Sequence, residues 1–180
     1  MVDVVKNNRF FLSFNPEDSC INEIIAIQNK INYAESSRLI SKENLHMTLL
    51  FLGKVDESKL QILENIETDI ENLNLKLEPI IFDKTFYWRS AKVSGLSASK
   101  APDFLNILYH FFKDELLLTA EDKKIKPHIT LARKVTKNPK YIMPFEPIEL
   151  NIKELYLMQS IFSENKPIEY KVIKKYQLRS

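Results

Sequence analysis

A short motif, His-x-Thr-Leu, occurs twice in this chain of 180 residues, at 46–49 and at 128–131. The two copies are 82 residues apart, which is close to half of the chain. The same offset aligns the aromatic-rich segment 9–14 with 91–96 without a gap. Each copy then reads as a strand, a helix and a His-x-Thr strand. The repeat therefore predicts two similar lobes that are related by an approximate two-fold axis.

The spacing of apolar residues places the other elements. Helical spacing predicts helices over 17–33, 57–72 and 102–118. Apolar runs and alternating segments predict strands at 9–14, 45–52, 75–82, 85–96, 128–133, 149–162 and 168–178, the last two as a hairpin. Segment 136–147 contains three prolines and is expected to be a loop. The order of these elements indicates an α+β protein rather than a regular β-α-β series.

The scarcity of glycine excludes two common classes of nucleotide site. The chain has two glycines, Gly53 and Gly95. A P-loop and the dinucleotide-binding fingerprint both need several glycines, because the backbone must approach the phosphates closely. The single cysteine, Cys20, allows neither an internal disulfide nor a cysteine-based zinc site. We expect Cys20 to be a small, buried thiol.

Length, charge and the N-terminal segment set further limits. The length suits one domain, and we expect residues 1–180 to form a single bilobal domain. The net charge of +2 argues against a protein that wraps nucleic acid through bulk charge. The first residues make a poor signal peptide, and no stretch approaches the roughly 18 apolar residues of a membrane helix. We therefore expect a soluble, cytoplasmic protein without a membrane partner.

The repeated motif places two polar side chains on one face of each strand. Residues two apart in a strand point the same way, so His46 lies beside Thr48 and His128 lies beside Thr130. The apolar residues of the first motif are then expected on the opposite face, namely Leu45, Met47, Leu49 and Phe51. A two-fold axis between the lobes brings the two His/Thr pairs together across a cleft.

Two facing imidazoles suit general acid-base chemistry at a phosphodiester. An in-line displacement needs a base for the nucleophile and an acid for the leaving oxygen, on opposite sides of phosphorus. Histidine titrates near neutral pH, and threonine hydroxyls donate to the non-bridging oxygens. This chemistry needs neither a metal nor a covalent intermediate. The rival use of His46 and His128 is metal binding, which is disfavoured because no carboxylate or cysteine lies at ligand spacing. His110 lies outside the repeat and is interpreted as structural or solvated.

The segments LHMTLLFLG (45–53) and PHITLAR (127–133) resemble the two-histidine phosphoesterase superfamily, and most closely its RNA 2′,3′-cyclic phosphodiesterase family, also called the 2′-5′ RNA ligase family. The likeness also includes the opening strand at 9–11, the segment 88–90 and Tyr170. The resemblance implies an α+β fold with two pseudo-symmetric lobes. Each lobe is an antiparallel sheet with helices packed outside, and the active-site cleft lies between them.

The resemblance also implies an activity and the residues that perform it. The expected reaction is hydrolysis of a 2′,3′-cyclic phosphate on RNA to a 2′-phosphate, with no cofactor. ATP-independent joining of RNA ends through a 2′-5′ bond is a second implied activity. By position, His46 is the acid that protonates the departing O3′ and His128 is the base that activates water. Thr48, Thr130 and Arg133 hold the phosphate. The implied partner is RNA with a cyclic phosphate end, tRNA fragments included, and the implied assembly is a monomer.

Three further residues have roles that the sequence leaves open. Arg133 lies five residues beyond His128, an odd step, so a bulge, a strand end or its long side chain must bring it to the site. Phe51 occupies the equivalent place in the first copy, so the two halves differ there. Phe11 either stacks on a base or packs in the core. Tyr170 is a weaker candidate for substrate binding, and packing is favoured.

Other functions remain compatible with these residues. Within the same chemistry, one alternative substrate is a small cyclic phosphate, such as a cyclised ADP-ribose derivative. Another is an oligonucleotide 3′ end that is trimmed by cyclisation. A non-catalytic RNA-binding module is the alternative from a different class, although the intact His/Thr pairs argue against it. The assignment of acid to His46 and base to His128 is also reversible, because the site is symmetric.

Overall fold

The computed structural model describes residues 9–119, 124–141, 144–162 and 168–179. The α-helices of these ranges are α1 (Asp18–Lys30), α2 (Glu57–Asn65), α3 (Glu67–Glu71) and α4 (Asp103–Glu115). The strands are β1 (Arg9–Phe14), β2 (Ile31–Asn32), β3 (Arg38–Leu39), β4 (Met47–Gly53), β5 (Ile80–Trp88), β6 (Val93–Ala98), β7 (His128–Arg133), β8 (Lys140–Tyr141), β9 (Ile148–Leu150), β10 (Glu154–Ile161) and β11 (Glu169–Gln177).

The main sheet is antiparallel, and its strand order is symmetric about its centre. The order is β11-β10-β1-β4-β7-β6-β5-β9, with β3 also paired to β7, while β2 and β8 form a separate pair. The central strands β4 and β7 carry the two His-x-Thr motifs and meet at a single register pair, Met47 opposite Ile129. These two residues are 82 apart, so they are equivalent in the repeat. The predicted α+β fold with two related antiparallel halves is confirmed.

The helices cover one face of the sheet and leave the other face to the polar residues. α1 and α4 bury apolar side chains against the motif residues Met47, Leu49, Ile129 and Leu131, all within one core cluster. Each fully buried aliphatic side chain contributes about 1.5–3 kcal/mol to folding. Cys20 of α1 is buried, as predicted, and its burial raises the thiol pKa to about 11. The threonines of the motifs therefore lie on the face without helices.

Two predicted elements differ from the structure for local reasons. The predicted helix 57–72 is divided at Ile66, where α2 ends and α3 begins. Leu63, Ile66 and Ile70 are all buried in one core, and the interruption at Ile66 keeps all three there. The strand predicted at 75–82 begins only at Ile80, directly after Pro79. Proline has no N–H to donate to a ladder, so the strand begins after it.

The later segments also differ in detail. The predicted strand 149–162 is two strands, because β9 pairs with β5 while β10 pairs with β1 on the opposite half of the sheet. The predicted loop 136–147 contains the short strand β8, and residues 142 and 143 lie outside the described ranges. The predicted hairpin of β10 and β11 is confirmed. In the described part of the chain, no helix is long and apolar enough to cross a membrane.

Candidate active site

A β-bulge in β4 changes which face its later residues occupy. Against β1, the partner of Ser13 is Thr48, whereas the partner of Leu12 is Leu50. Leu49 is therefore an extra residue without its own partner. A bulge of this kind reverses the alternation of the strand beyond it. Leu50 and Phe51 thus occupy the faces opposite to those predicted from uninterrupted alternation. A second register shift follows at Leu52, because Phe11 pairs with Phe51 and Phe10 pairs with Gly53.

β7 contains a bulge at the equivalent place. Against β6, the partner of Gly95 is Thr130, whereas the partner of Ser94 is Ala132, so Leu131 is the extra residue. The carbonyl of Leu131 accepts hydrogen bonds from the Gln28 side-chain amide (2.8 Å) and from the backbone N–H of Ile40 (2.8 Å). α1 therefore helps to hold the irregular backbone through a buried amide.

The paired bulges bring Phe51 and Arg133 onto the face of the histidines. The prediction that Phe51 lies on the core face is wrong, because the bulge turns it outward. Its side chain is 71% exposed, and its ring centroid lies 6.1 Å from that of Phe11. The charge of Arg133 lowers the pKa of both His46 and His128, so the guanidinium acts on both rings. Of the three routes considered for Arg133, two are observed, because a bulge precedes it and it is also the last residue of β7.

His46 is fixed by its backbone and by two aromatic rings. Its Nδ1 lies 2.7 Å from the carbonyl oxygen of Asn44, and its Nε2 lies 3.1 Å from Thr48 Oγ1. The rings of Phe11 and Tyr170 lie 5.0 Å from the imidazole, centroid to centroid. Desolvation lowers the pKa of His46 to about 4, and the charges of Arg133 and His128 act in the same direction. His46 is therefore neutral at pH 7.

His128 has the same backbone contact and different aromatic neighbours. Its Nδ1 lies 2.8 Å from the carbonyl oxygen of Lys126, which is equivalent to Asn44 in the repeat. The ring centroids of Trp88 and Phe86 lie 4.7 and 5.5 Å from the imidazole. Burial lowers the pKa of His128, and the charge of Arg133 lowers it further. Both histidines are thus held neutral in the free protein.

The backbone contacts determine the tautomer of each histidine. A carbonyl oxygen only accepts, so Nδ1 of each neutral ring carries the proton and Nε2 carries the lone pair. At His46 the hydroxyl of Thr48 then donates to Nε2. Both Nε2 atoms are proton acceptors in the free protein, and a bound anion raises the pKa of each imidazole. The site therefore favours proton transfer at an anionic ligand.

Two cavities adjoin Tyr170, whose ring contacts His46, and they share Arg133, Ile168 and Tyr170. The larger has a volume of about 430 Å³ and is lined mainly by aromatic side chains, Phe11, Phe51 and Phe162 among them. The smaller has a volume of about 160 Å³ and includes Arg38, Ser41 and Asn44. Across the residues that the structure describes, there is no cluster of three or more His, Cys, Asp or Glu side chains that could hold a metal ion.

The chain is similar to known phosphoesterases over nearly its full length. The family described as LigT like Phosphoesterase matches residues 15–95. The RNA 2′,3′-cyclic phosphodiesterase of Methanocaldococcus jannaschii is 31% identical over 182 residues, which are 93% of this chain and 99% of that protein. The chain belongs to the LigT-like phosphoesterase family. A protein of the same name from Archaeoglobus fulgidus is 25% identical over 190 residues, 94% of this chain and 99% of that protein.

Solved structures of LigT-like phosphoesterases share the fold. E. coli LigT complexed with NADP+ has a TM-score of 0.81 at 22% identity, over 97% of this chain and 99% of that chain. E. coli LigT complexed with 3′-AMP has a TM-score of 0.79 at 21% identity, over 97% and 100%. At these identities the likeness concerns the architecture alone, an α+β fold built on an antiparallel sheet.

The other predicted site residues of this LigT-like phosphoesterase have different surroundings. Thr130 is half-buried and pairs in register with Gly95. Phe11 is 2% exposed, so burial favours the packing role over stacking on a base. Tyr170 packs edge-on against His46 and is half-buried. His110 is exposed on α4, away from the motif strands, and its ring contacts Tyr109.

Sequence reasoning missed Phe86 as a neighbour of His128, and it included Trp88 only through the segment 88–90, without a site role. Phe86 and Trp88 lie on the same face of β5, and their ring centroids are 4.3 Å apart. The i, i+2 spacing of two aromatic residues was a visible signal. The spacing shows that the two rings share a face of β5, but it does not show that His128 lies on the same face of the sheet. The adjacent hairpin strand β6 provides that connection, because Gly95 pairs with both Phe86 and Thr130.

Replacing Gly95 by alanine is expected to lower the free energy of unfolding by about 1–3 kcal/mol, because the new methyl group overpacks the sheet. A Cβ at Gly95 would lie 2.0 Å from the Ile129 carbonyl oxygen and 3.0 Å from Phe86 Cε1. Urea unfolding measures the loss. Gly53→Ala is the control, because it meets no atom within 4 Å and introduces only the strain of a positive φ of 69°. A Gly95→Ala protein as stable as the wild type would contradict the observed close approach.

Proposed function

We propose that this phosphoesterase hydrolyses the 2′,3′-cyclic phosphate at the 3′ end of RNA to a 2′-phosphate. The observation that carries the proposal is the matched pair of histidines, each with its Nδ1 on a main-chain carbonyl and both under the charge of Arg133. Two relatives named RNA 2′,3′-cyclic phosphodiesterase, which match nearly the full chain, support the same substrate.

In the proposed reaction, the two histidines act on opposite sides of phosphorus. Nε2 of His128 takes a proton from water, and the water oxygen attacks phosphorus in line with O3′. The P–O3′ bond breaks as Nε2–H of His46 delivers its proton to O3′. The products are a 2′-phosphate and a free 3′-hydroxyl. Thr48, Thr130 and Arg133 stabilise the negative charge on the non-bridging oxygens.

Substrate binding prepares His46 for its role. In the free protein His46 is neutral, and the Thr48 hydroxyl donates to its Nε2. The negative charge of the phosphodiester raises the pKa of the imidazole, so Nε2 takes up a proton when the substrate binds. The Thr48 hydroxyl then turns from Nε2 to a phosphate oxygen. His46 therefore becomes protonated only when the anionic substrate is bound.

The pH profile of kcat/KM is expected to be bell-shaped, with its maximum between about pH 4 and pH 6.5. This parameter reports the pKa values of the free enzyme. The pKa of His46 is about 4, and the pKa of His128 lies below its usual 6.5. The rate falls below the lower of the two pKa values because both rings are protonated, and it falls above the higher one because both rings have lost the proton. Histidines at their ordinary pKa would place the maximum near 6.5.

The experiment uses a short oligoribonucleotide that ends in a 2′,3′-cyclic phosphate, in the presence of EDTA, from about pH 3 to about pH 9. The expected product is the 2′-phosphate. A 3′-phosphate would mean that O2′ leaves and would overturn the proposed orientation. Loss of turnover in EDTA, with recovery on adding zinc or magnesium, would replace the acid-base mechanism by a metal-dependent one.

The same chemistry supports a second activity, 2′-5′ joining of RNA. If a 5′-hydroxyl takes the place of water, attack on phosphorus and departure of O3′ leave a 2′-5′ phosphodiester. No ATP is needed, because the cyclic phosphate already carries the activated bond. The matched pair of histidines, each with its Nδ1 on a main-chain carbonyl, supports this second candidate, because joining needs the same two proton transfers as hydrolysis. Incubation of cyclic-phosphate and 5′-hydroxyl oligonucleotides, followed by resistance of the product to 3′-5′-specific nucleases, tests it.

A further inference from the structure

Two arginines face each other directly across neighbouring strands. Arg38 of β3 is the register partner of Arg133 of β7. β3 contains two residues and occupies the same edge of β7 as β4, beyond the point where β4 separates from it. Like charges that are directly opposite in an antiparallel pair are destabilising. This pairing is therefore unfavourable in the free protein and becomes favourable when an anion lies between the two guanidinium groups.

No carboxylate balances these charges within the described ranges. The ion pairs there involve other cations, and neither Arg38 nor Arg133 belongs to one. Both arginines line the cavity of about 160 Å³, with Ser41 and Asn44 on the same wall. The Ser41 side chain is hydrogen-bonded to Glu43, and the Asn44 amide donates to the carbonyl oxygen of Ile168 at 3.0 Å. Anion recognition in this cavity therefore rests on the two planar guanidinium groups, which typically recognise phosphate. The smaller cavity is thus suited to an anion.

The position of this cavity indicates which anion it receives. Arg133 and Tyr170 form the wall that it shares with the larger cavity, and Arg133 acts on both histidines. The proposed function puts the reacting phosphate at the histidines, and on that basis the anion in the smaller cavity is a second phosphate. The larger cavity has an exposed aromatic ring, Phe51, on which a base can stack. An RNA end carries the groups for all three places, namely its terminal phosphate, the terminal nucleoside and the next phosphate.

We propose that Arg38 binds the phosphodiester on the 5′ side of the terminal nucleotide. The inference rests on the proposed function and refines its substrate class. The preferred substrate is an oligonucleotide with at least one internucleotide phosphate, and a nucleoside 2′,3′-cyclic monophosphate is a poorer one. Arg38 is exposed, and its register partner Arg133 lies at the opposite end of β7 from His128. Arg38 therefore affects the preference for longer substrates and not the chemical step.

The test compares Arg38→Ala with the wild type on two substrates, a trinucleotide with a 2′,3′-cyclic phosphate end and the corresponding nucleoside 2′,3′-cyclic monophosphate. We expect kcat/KM to fall about tenfold for the trinucleotide and less than about twofold for the mononucleotide. Arg38→Lys is expected to recover part of the loss, because it keeps the charge and loses the fork. Arg179→Ala, which removes an arginine that is ion-paired with Glu71, is the matched control and is expected to change neither value.

Binding supplies a readout that does not depend on turnover. The Kd of a fluorescein-labelled trinucleotide with the cyclic end is measured at rising salt for both proteins. The slope of log Kd against log salt is expected to fall by about 0.7 in Arg38→Ala, which corresponds to one lost phosphate contact. An equal loss on both substrates, or an unchanged salt slope, would overturn the inference. A wild type that binds the trinucleotide through Arg38 but turns over neither substrate would contradict the proposed function alone.

Discussion

Replacing His46 or His128 by alanine is expected to lower kcat by about 10²–10⁴-fold on an RNA 2′,3′-cyclic phosphate. Each substitution removes one of the two proton transfers that the reaction needs. The double variant is expected to lose little more than the worse single variant, because the two groups act in one concerted step. His110→Ala is the matched control, since this third histidine is exposed on α4, and its kcat is expected to stay within about twofold of the wild type.

The roles of the two histidines are separated by changing the leaving atom. In a substrate with sulfur in place of O3′, the thiolate departs without needing a proton from the enzyme. His46→Ala is then expected to regain most of its lost rate, whereas His128→Ala stays slow because water still needs a base. The opposite pattern would exchange the assigned roles. Equal failure of both variants on the sulfur substrate would contradict the acid-base mechanism.

The stability of the His46 variant needs its own measurement. The ring packs between Phe11 and Tyr170, so alanine leaves a space there. His46→Gln keeps more of the volume and has no titratable nitrogen, and it is expected to be as inactive as His46→Ala. Circular dichroism and urea unfolding distinguish a folded, inactive protein from an unfolded one. A fully active His46→Gln protein would exclude His46 from the chemistry.

Removing Arg133 has the second largest expected effect, a loss in kcat/KM of about 10²–10³-fold for Arg133→Ala. The guanidinium is proposed to stabilise the charge that develops on the phosphate oxygens. Arg133→Lys is expected to recover only part of the rate, because an ammonium group lacks the planar fork that matches two oxygens. Arg179→Ala again serves as the control, because its guanidinium is ion-paired with Glu71.

The pH profile distinguishes an electrostatic role of Arg133 from a merely structural one. Its positive charge lowers the pKa of both histidines, so its removal raises both. Both limbs of the kcat/KM bell are therefore expected to move to higher pH in Arg133→Ala, while Arg133→Lys leaves them close to the wild type. A bell that does not move would contradict the electrostatic coupling.

The repeat made the central part of the site predictable from the sequence. Two motifs at one offset predicted that β4 and β7 are equivalent, and the structure pairs them at the equivalent residues Met47 and Ile129. The alternation of side chains in a strand predicted each histidine beside a threonine, and His46 does contact Thr48. Such predictions depend on strand geometry over two or three residues, where the pattern is regular.

The remaining features depend on contacts between distant segments, which periodicity does not report. The bulges at Leu49 and Leu131 interrupt alternation, and their signal is a register shift against β1 and β6 rather than a local motif. The hydrogen bond from Gln28 to Leu131 crosses 103 positions of the chain. β3 contains only two residues, which is too short for a pattern to be recognised. The face of Phe51 and the neighbour of Arg133 were therefore inaccessible to sequence reasoning.

The contacts that orient the histidines also bear on how such a protein tolerates mutation. The acceptors at Asn44 and Lys126 are main-chain carbonyl oxygens, and every amino acid provides one. No substitution of either side chain removes the acceptor, provided that the local backbone path is kept. Selection on the orientation of each ring thus falls on strand geometry and not on the identity of a neighbouring residue. This separation allows extensive drift in sequence around an unchanged pair of imidazoles.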